Sequence, residues 1–180
     1  MRQRRLGRTG LRVGEIGLGT EYLLQSPAEE MATIVRTAVT SGANYIDLLY
    51  NGPEFLERFG PALAPVRQDA VLAVHWGVGE KNGQLTNVRT QRDCRIFFDL
   101  ALAQPGIGYA DVALLMMVDT VSLFDRWVPQ SLRQLESYRQ QGLVHHIGLS
   151  SHRPEVGLHA VQSGLIDVLM YPVNPSTHAV

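Results

Sequence analysis

The chain has 180 residues, of which 45% are hydrophobic and 18% charged, and its formal net charge is −1 at pH 7. This length suits one domain with a sizeable core, so we expect residues 1–180 to form a single domain. The near-neutral charge argues against a nucleic acid or an anionic membrane as the partner. No apolar run approaches the roughly 20 residues of a transmembrane helix, and the expected location is the cytoplasm.

The N-terminal residues predict a β-hairpin and a short strand. Two short stretches, residues 3–6 and 11–13, flank a turn at residues 7–10 that contains two glycines. The predicted hairpin therefore spans residues 2–13, and residues 15–19 form the strand that follows it.

The first predicted helix has the clearest local signals. Ser26 is a suitable N-cap, Pro27 suits the first helical position, and Glu29 completes a capping box. Gly42 ends the helix. One apolar face is predicted to contain Met31, Ile34, Val35, Ala38 and Val39.

From residue 45 onward, predicted strands and helices alternate. The strands are residues 45–49, 70–75, 111–117, 144–150 and 167–171. One helix begins near residue 53, and the three that follow span roughly residues 90–103, 123–140 and 154–163. Gly60 and Pro61 are predicted to kink or interrupt the helix that begins near residue 53. The polar residues 79–88 are predicted to form a loop.

This alternation predicts an α/β fold with a parallel sheet and right-handed crossovers. Two architectures fit the pattern, an open doubly wound sheet and a (β/α)₈ barrel. A barrel of that kind normally needs about 250 residues and eight units. The six strands predicted between residues 15 and 171 are too few to close one.

Asp47 is the first candidate functional residue, because it ends a short apolar strand. A carboxylate there costs free energy unless it has a partner, and the carboxyl ends of barrel strands are where active sites form. The alternative is a structural carboxylate that caps the helix at Pro53 or pairs with an arginine. His75 ends the next strand and is either a site histidine or a core neighbour of Trp76. Tyr50 is either a proton donor or a packing residue.

The cysteine and the neighbouring histidines of the chain are poorly placed to bind a metal ion. Cys94 is the only cysteine, and its apolar surroundings predict a buried, inert thiol. His145 and His146 point to opposite faces of a strand. We therefore expect no metal site.

Four segments, in this order, resemble the aldo-keto reductases, which are NADPH-dependent barrels that reduce carbonyls. They are RRLGRTGLRV at 4–13, EIGLGT at 15–20, GANYID at 42–47 and GLVHHIGLSS at 142–151. In the family they correspond to the hairpin at the barrel floor, the first strand, the run before the catalytic aspartate, and the fifth strand. The resemblance implies a parallel (β/α) barrel of TIM type with an N-terminal β-hairpin. It is incomplete here, with about six strands, and truncated after the sixth.

The family catalyses reduction with Asp, Tyr, Lys and His, and the tyrosine protonates the carbonyl oxygen. Asp47 matches the aspartate, whereas Tyr50 follows it by fewer residues than the family tyrosine does and is a shifted substitute. His75 stands at the lysine position, and Met116, which cannot donate a hydrogen bond, stands at the histidine position. Lys81, the only lysine, lies six residues beyond His75. The implied catalytic residues are Asp47, Tyr50 and His75, a degenerate set.

The resemblance also implies NADP as the cofactor. The loops after the seventh and eighth strands, which bind most of the nucleotide in the family, are not among these residues. The nicotinamide end would be lined by Gly19, Thr20, Asp47, Ser150, Ser151 and Asn174.

The implied function is an NADP-dependent oxidoreductase that reduces a small-molecule carbonyl substrate by hydride transfer. The alternative is a non-catalytic barrel relative or fragment that binds a small molecule or a protein. An incomplete sheet also leaves open edges at residues 15–19 and 167–171. Because open edges pair with other chains, the chain is expected to form a homodimer through these edges or to aggregate.

Overall fold

A computed structural model describes residues 1–174 of the chain. Its strands are β1 Gln3–Arg5, β2 Arg12–Gly14, β3 Leu18–Gly19, β4 Tyr45–Leu48, β5 Val71–Trp76, β6 Val78–Lys81, β7 Gln84–Asn87, β8 Ala110–Leu115, β9 Val144–Ser150 and β10 Val168–Met170. Its α-helices are α1 Ala28–Thr40, α2 Pro53–Leu63, α3 Gln91–Leu102, α4 Val121–Gln140 and α5 Pro154–Ser163. Among these residues, no helix is both long and apolar enough to cross a bilayer.

The main sheet has six parallel strands in the order β3-β4-β5-β8-β9-β10. Each strand lies beside the strand that precedes it in this sheet, so the sheet grows in one direction only. A doubly wound sheet would reverse its strand order at a switch point. The architecture is therefore the barrel type, present as an open, curled half-barrel in an α/β fold.

The two faces of the sheet have different coverings. The helix-facing side packs into the main core, which includes Leu72, Val74 and Trp76 of β5. The concave inner face has a small apolar cluster formed by Ala73, Val112, Leu114 and Val168, packed against Leu6 and Leu11 of the β1–β2 hairpin. Because side chains alternate along a strand, every second residue of each strand points to this inner face. The hairpin thus covers the amino-terminal end of the half-barrel and leaves the carboxyl end open.

The first helix begins differently from the prediction. Its N-cap is Pro27 rather than Ser26, and no side chain caps the helix. The carbonyl oxygen of Ser26 instead accepts a hydrogen bond from the Arg58 guanidinium at 2.9 Å. The predicted apolar face is confirmed at its centre, since Met31, Val35 and Val39 are buried.

Helix α2 is not interrupted at Gly60 and Pro61. It continues to Leu63 with Pro61 inside it, and a 3-10 segment, Ala64–Asp69, follows. The burial of Phe59 and Leu63, on both sides of the proline, offsets the backbone hydrogen bond that proline cannot make.

The predicted loop at residues 79–88 is mostly a second hairpin, β6–β7. Its turn contains Asn82 and Gly83, both with positive φ, of 54° and 74°. An Asn-Gly pair is the strongest short-range signal for such a turn, and the prediction overlooked it. The strand predicted at residues 15–19 is also shorter in the structure, with only Leu18 and Gly19 paired to β4.

Candidate active site

Asp47 and His75 form a hydrogen-bonded pair at the open end of the half-barrel. Asp47 lies opposite Ala73 on the neighbouring strand, so His75 follows two residues further toward the carboxyl end on the same inner face. Nε2 of His75 lies 2.7 Å from Oδ1 of Asp47. Because a carboxylate only accepts hydrogen bonds, the shared ring proton belongs to Nε2.

The two members of this pair differ in access to solvent. The His75 side chain is 2% exposed and the Asp47 side chain 24%. Nδ1 of His75 is also buried and has no hydrogen-bond partner among residues 1–174. A ligand can therefore reach Asp47 directly, whereas His75 acts on a ligand only through Asp47.

Trp76 lies on the opposite face of β5 from His75. Its ring packs edge-on against Phe98 and Tyr138, with ring centroids 5.3 and 5.9 Å away. The interpretation of His75 as a core neighbour of Trp76 therefore does not describe the structure, which places His75 beside Asp47. Trp76 does not line the inner face either.

Tyr50 is turned toward a different carboxylate. Its hydroxyl donates a hydrogen bond to Oε2 of Glu80, in β6, at 2.9 Å. Burial and the hydrogen bond to Glu80 raise the pKa of Tyr50 to about 12. In this arrangement the hydroxyl is committed to Glu80 and is a weaker acid than an ordinary tyrosine.

Tyr45 is a candidate site residue that the sequence reasoning missed. It precedes Asp47 by two residues on β4, so both side chains point to the inner face. It packs against the inner apolar cluster, and burial together with the charge of Asp47 raises the pKa of its hydroxyl. The period-two spacing from Asp47 was the available signal.

The residues predicted to line the nicotinamide end differ in how much of each is available to contact a ligand. The backbone N–H and the hydroxyl of Thr20 both donate to the carbonyl oxygen of Asp47, at 3.1 and 2.9 Å. Gly19, opposite Asp47, has open space where a side chain would lie. Thr20 thus anchors the strand end, and Gly19 leaves room beside the carboxylate.

At the carboxyl end of β9, the hydroxyl oxygen of Ser150 accepts a hydrogen bond from the N–H of Met117 at 3.3 Å. The hydroxyl hydrogen of Ser150 is therefore available. Ser151 donates to Asp119 at 3.2 Å and accepts from the N–H of Arg153 at 3.2 Å, so its hydroxyl hydrogen is already used. Asn174 is exposed and is the last residue that the structure describes.

Met116 and Lys81, the two other residues that the family resemblance singled out, differ in exposure. Met116 is buried, and its N–H donates to the carbonyl oxygen of Trp76 at 2.9 Å. Lys81 ends β6 and is exposed.

Residues 1–174 contain no cluster of three or more His, Cys, Asp or Glu side chains that would hold a metal ion. Cys94 is buried, as predicted, and burial raises the pKa of its thiol to about 12.

No protein-family model matches the chain. Two curated proteins are similar to it: the uncharacterized oxidoreductase YqkF of Bacillus subtilis, 25% identical over 177 residues, and the L-galactose dehydrogenase of Arabidopsis thaliana, 26% identical over 190 residues. These alignments cover 94% and 97% of the chain. The chain spans only 56% and 58% of the length of these relatives.

Solved structures show the same fold. An aldo-keto reductase of Bacillus halodurans, in its holo form, has a TM-score of 0.78 at 24% identity, with 96% of this chain and 58% of that chain covered. A putative aldo-keto reductase of Pseudomonas aeruginosa has a TM-score of 0.81 at 25% identity, with 98% of this chain and 70% of that chain covered. Together with the half-barrel topology, these likenesses show that the chain has the fold of the aldo-keto reductases and is similar in sequence to oxidoreductases.

Proposed function

We propose that the protein is an NADP-dependent oxidoreductase of the aldo-keto reductase type, which reduces a carbonyl by hydride transfer with a degenerate catalytic set. The observation that supports this most is the 2.7 Å pair of Asp47 and His75 on the inner face at the open end of the sheet. Both curated relatives are named as an oxidoreductase or a dehydrogenase, which agrees with this reaction class.

In this proposal, Asp47 is the site acid that faces the ligand, and His75 is its positioning residue. The buried imidazole holds one carboxylate oxygen at a defined place and leaves Oδ2 free to accept a hydrogen bond. Tyr50 is a candidate proton donor only if its hydroxyl exchanges Glu80 for a substrate oxygen.

The inner face fits the nicotinamide end of the proposed cofactor. Gly19 leaves open space beside Asp47, and Ser150 has a free hydroxyl hydrogen two strands beyond His75. Gly19, Asp47 and Ser150 would therefore hold the nicotinamide, with Thr20 and Ser151 fixing the strand ends around it. When bound, the reduced nicotinamide supplies the hydride. A cytoplasmic location stays a prediction from the sequence.

A second candidate is a non-catalytic relative that binds a small molecule or a protein. Two observations favour it. Tyr50 is bound to Glu80 and has a raised pKa, and Met116 replaces the family histidine with a side chain that cannot donate a hydrogen bond.

The proposal is tested by titrating the purified chain with NADPH in a calorimeter. Asp47→Asn should weaken binding at least about fivefold, the size of roughly 1 kcal/mol, because it changes the charge and the hydrogen bonding beside the nicotinamide. The matched control is Asp125→Asn, which alters a surface aspartate that is also paired with a histidine, His159, at 3.0 Å. This control should bind NADPH like the wild type.

Turnover separates the two candidate functions. Oxidation of NADPH by a small aromatic aldehyde, lost in Asp47→Asn, supports the reductase. NADPH binding without turnover supports the binding module. A folded wild-type chain that does not bind millimolar NADPH would contradict the proposed reductase.

A further inference from the structure

A second pair of a carboxylate and an imidazole lies at the open end of the sheet. Asp119, in the loop between β8 and α4, accepts the backbone N–H of His152 at 2.7 Å and the hydroxyl of Ser151 at 3.2 Å through Oδ1. Its other oxygen, Oδ2, lies 3.0 Å from Nδ1 of His152. His152 follows β9 directly, so the pair joins the carboxyl ends of two neighbouring strands.

This geometry sets the orientation of the His152 ring. Since the carboxylate only accepts, Nδ1 of His152 carries a proton, and Nε2 points away from Asp119. Nε2 has no hydrogen-bond partner among the described residues, and the side chain is 53% exposed. The ring is thus held by one nitrogen and offers the other to a ligand.

The other groups that could protonate a substrate at this end of the sheet are less available. His75 is buried and bound to Asp47, and the hydroxyl of Tyr50 is bound to Glu80. Met116, directly after β8, has no proton to give. His152 lies on the adjacent loop, one strand further along the sheet from Met116, and is the exposed imidazole there among residues 1–174.

We propose that His152, oriented by Asp119, is the general acid that protonates the substrate carbonyl oxygen. This inference rests on the proposed reductase function. As the carbonyl carbon accepts a hydride from a reduced nicotinamide, the C=O π electrons move to oxygen. The oxygen takes the proton from Nε2 of the His152 imidazolium. The products are an alcohol, an oxidised nicotinamide and a neutral imidazole whose remaining proton stays on Nδ1, bonded to Asp119.

The charged groups near this pair support the assignment. Burial acts to raise the pKa of Asp119, but hydrogen bonds from the backbone and ring of His152 and from Ser151 hold it below its ordinary value. Asp119 is therefore an anion that stabilises the imidazolium. The cations nearby are Arg153, next in the chain, and Arg89, which packs against Trp127 and bonds to the carbonyl oxygen of Met117.

A structural role alone would leave a different signature. Removing the His152 ring keeps the hydrogen bonds that Asp119 accepts from the backbone N–H of residue 152 and from Ser151, so the loop retains two of its three contacts. His152→Gln should therefore fold like the wild type and differ from it in proton transfer.

The experiment combines kinetics with imidazole NMR on the full chain. With NADPH and a small aromatic aldehyde, His152→Gln should lower kcat at least about 100-fold, the usual share of a general acid, with NADPH affinity within about twofold of the wild type. In ¹⁵N-histidine spectra at high pH, the neutral ring of His152 should carry its proton on Nδ1. Asp119→Asn should shift that proton toward Nε2. The control is His159→Gln, which removes the imidazole paired with Asp125 on the outer helices and should keep the wild-type kcat.

The outcomes separate this inference from the proposed function. If the wild type binds NADPH and turns over but His152→Gln keeps its kcat within about threefold, the acid role is wrong and the reductase stands. A wild-type ring with its proton on Nε2 also overturns the role of Asp119. If the wild type neither binds NADPH nor reduces the aldehyde, the reductase proposal fails and the acid role fails with it.

Discussion

Asp47 and Asp167 lie at opposite ends of the parallel sheet, and their partners differ in kind. Asp47 pairs with one buried imidazole at the open end. Asp167, just before β10, accepts hydrogen bonds from the side chains of Arg8 and Arg139 and from the N–H of Ile147, at 2.8, 3.2 and 3.1 Å. Asp167 therefore ties the N-terminal hairpin to the sheet. In Asp47, only Oδ1 is bonded to His75, and Oδ2 can accept a further hydrogen bond.

The role of Asp167 predicts a change in acid stability. Burial acts to raise its pKa, but hydrogen bonds from Ile147 and Arg8 and the charges of both arginines hold it below the ordinary value. A carboxyl whose pKa is lowered on folding stabilises the protein fully above its unfolded pKa of about 3.9 and loses this contribution as the pH falls through the folded pKa. Asp167→Asn should therefore lower the free energy of unfolding near pH 6 and flatten its fall below about pH 4.

Urea denaturation at a series of pH values measures this effect. Arg8→Gln, which removes one of the donors to Asp167, should give an intermediate slope. An Asp167→Asn variant with the wild-type slope between pH 4 and 2 would show that the carboxylate does not couple folding to protons.

At the scale of elements, the β6–β7 hairpin docks on the loop between β4 and α2. Two hydrogen bonds join them, from Tyr50 to Glu80 at 2.9 Å and from the Asn51 amide to the carbonyl oxygen of Val78 at 3.1 Å. Gly52 permits this approach, because a Cβ there would lie 2.2 Å from Oε2 of Glu80 and 2.5 Å from the Tyr50 ring. The hairpin thus decides where the hydroxyl of Tyr50 points.

This packing predicts the result of Gly52→Ala. The added methyl group should displace Glu80 from Tyr50, and the pKa of Tyr50 should fall from about 12 toward the ordinary value of about 10. Ultraviolet titration of tyrosinate, as the difference from the same variant carrying Tyr50→Phe, measures the shift. Gly19→Ala is the control, because a Cβ at Gly19 meets nothing within 4 Å. An unchanged Tyr50 titration in Gly52→Ala would contradict the proposed contact.

At the scale of the whole molecule, the half-barrel has two open edges. Within residues 1–174, β3 and β10 each pair with one strand only. Next to β10, α5 and the turn after it expose three apolar side chains, Leu158, Val161 and Leu165. An open strand edge beside an exposed apolar face favours association with another chain.

We therefore predict that the chain forms a homodimer through the β10 edge. Sedimentation velocity at micromolar concentrations should show a dimer in the wild type, and Val161→Glu should shift it to monomer because a charge cannot be buried there without a partner. Ile96→Glu places the same charge on an exposed apolar position of α3 and should leave the dimer intact. A wild-type chain that stays monomeric at these concentrations would refute the prediction.

Local patterns were enough to predict much of this molecule. The apolar repeat of α1, the alternation of strands and helices, and the place of Asp47 at a strand end follow from periodicities and turn residues that span only a few positions. The Asn-Gly turn of β6–β7 was equally local and could have been predicted. Such features depend on neighbouring residues, so an isolated segment already contains the information for them.

The partners of the site residues depend on the assembled fold. His75 reaches Asp47 across 28 positions, Tyr50 reaches Glu80 across 30, and His152 reaches Asp119 across 33. Each contact depends on the register of two parallel strands and on the path of the loops after them. The positions of the two residues in the sequence specify neither the register nor the loop path. Asp47 was therefore predictable as a candidate site residue at a strand end. Its pairing with His75, the hydrogen bond of Tyr50 to Glu80 and the orientation of His152 were set by tertiary packing.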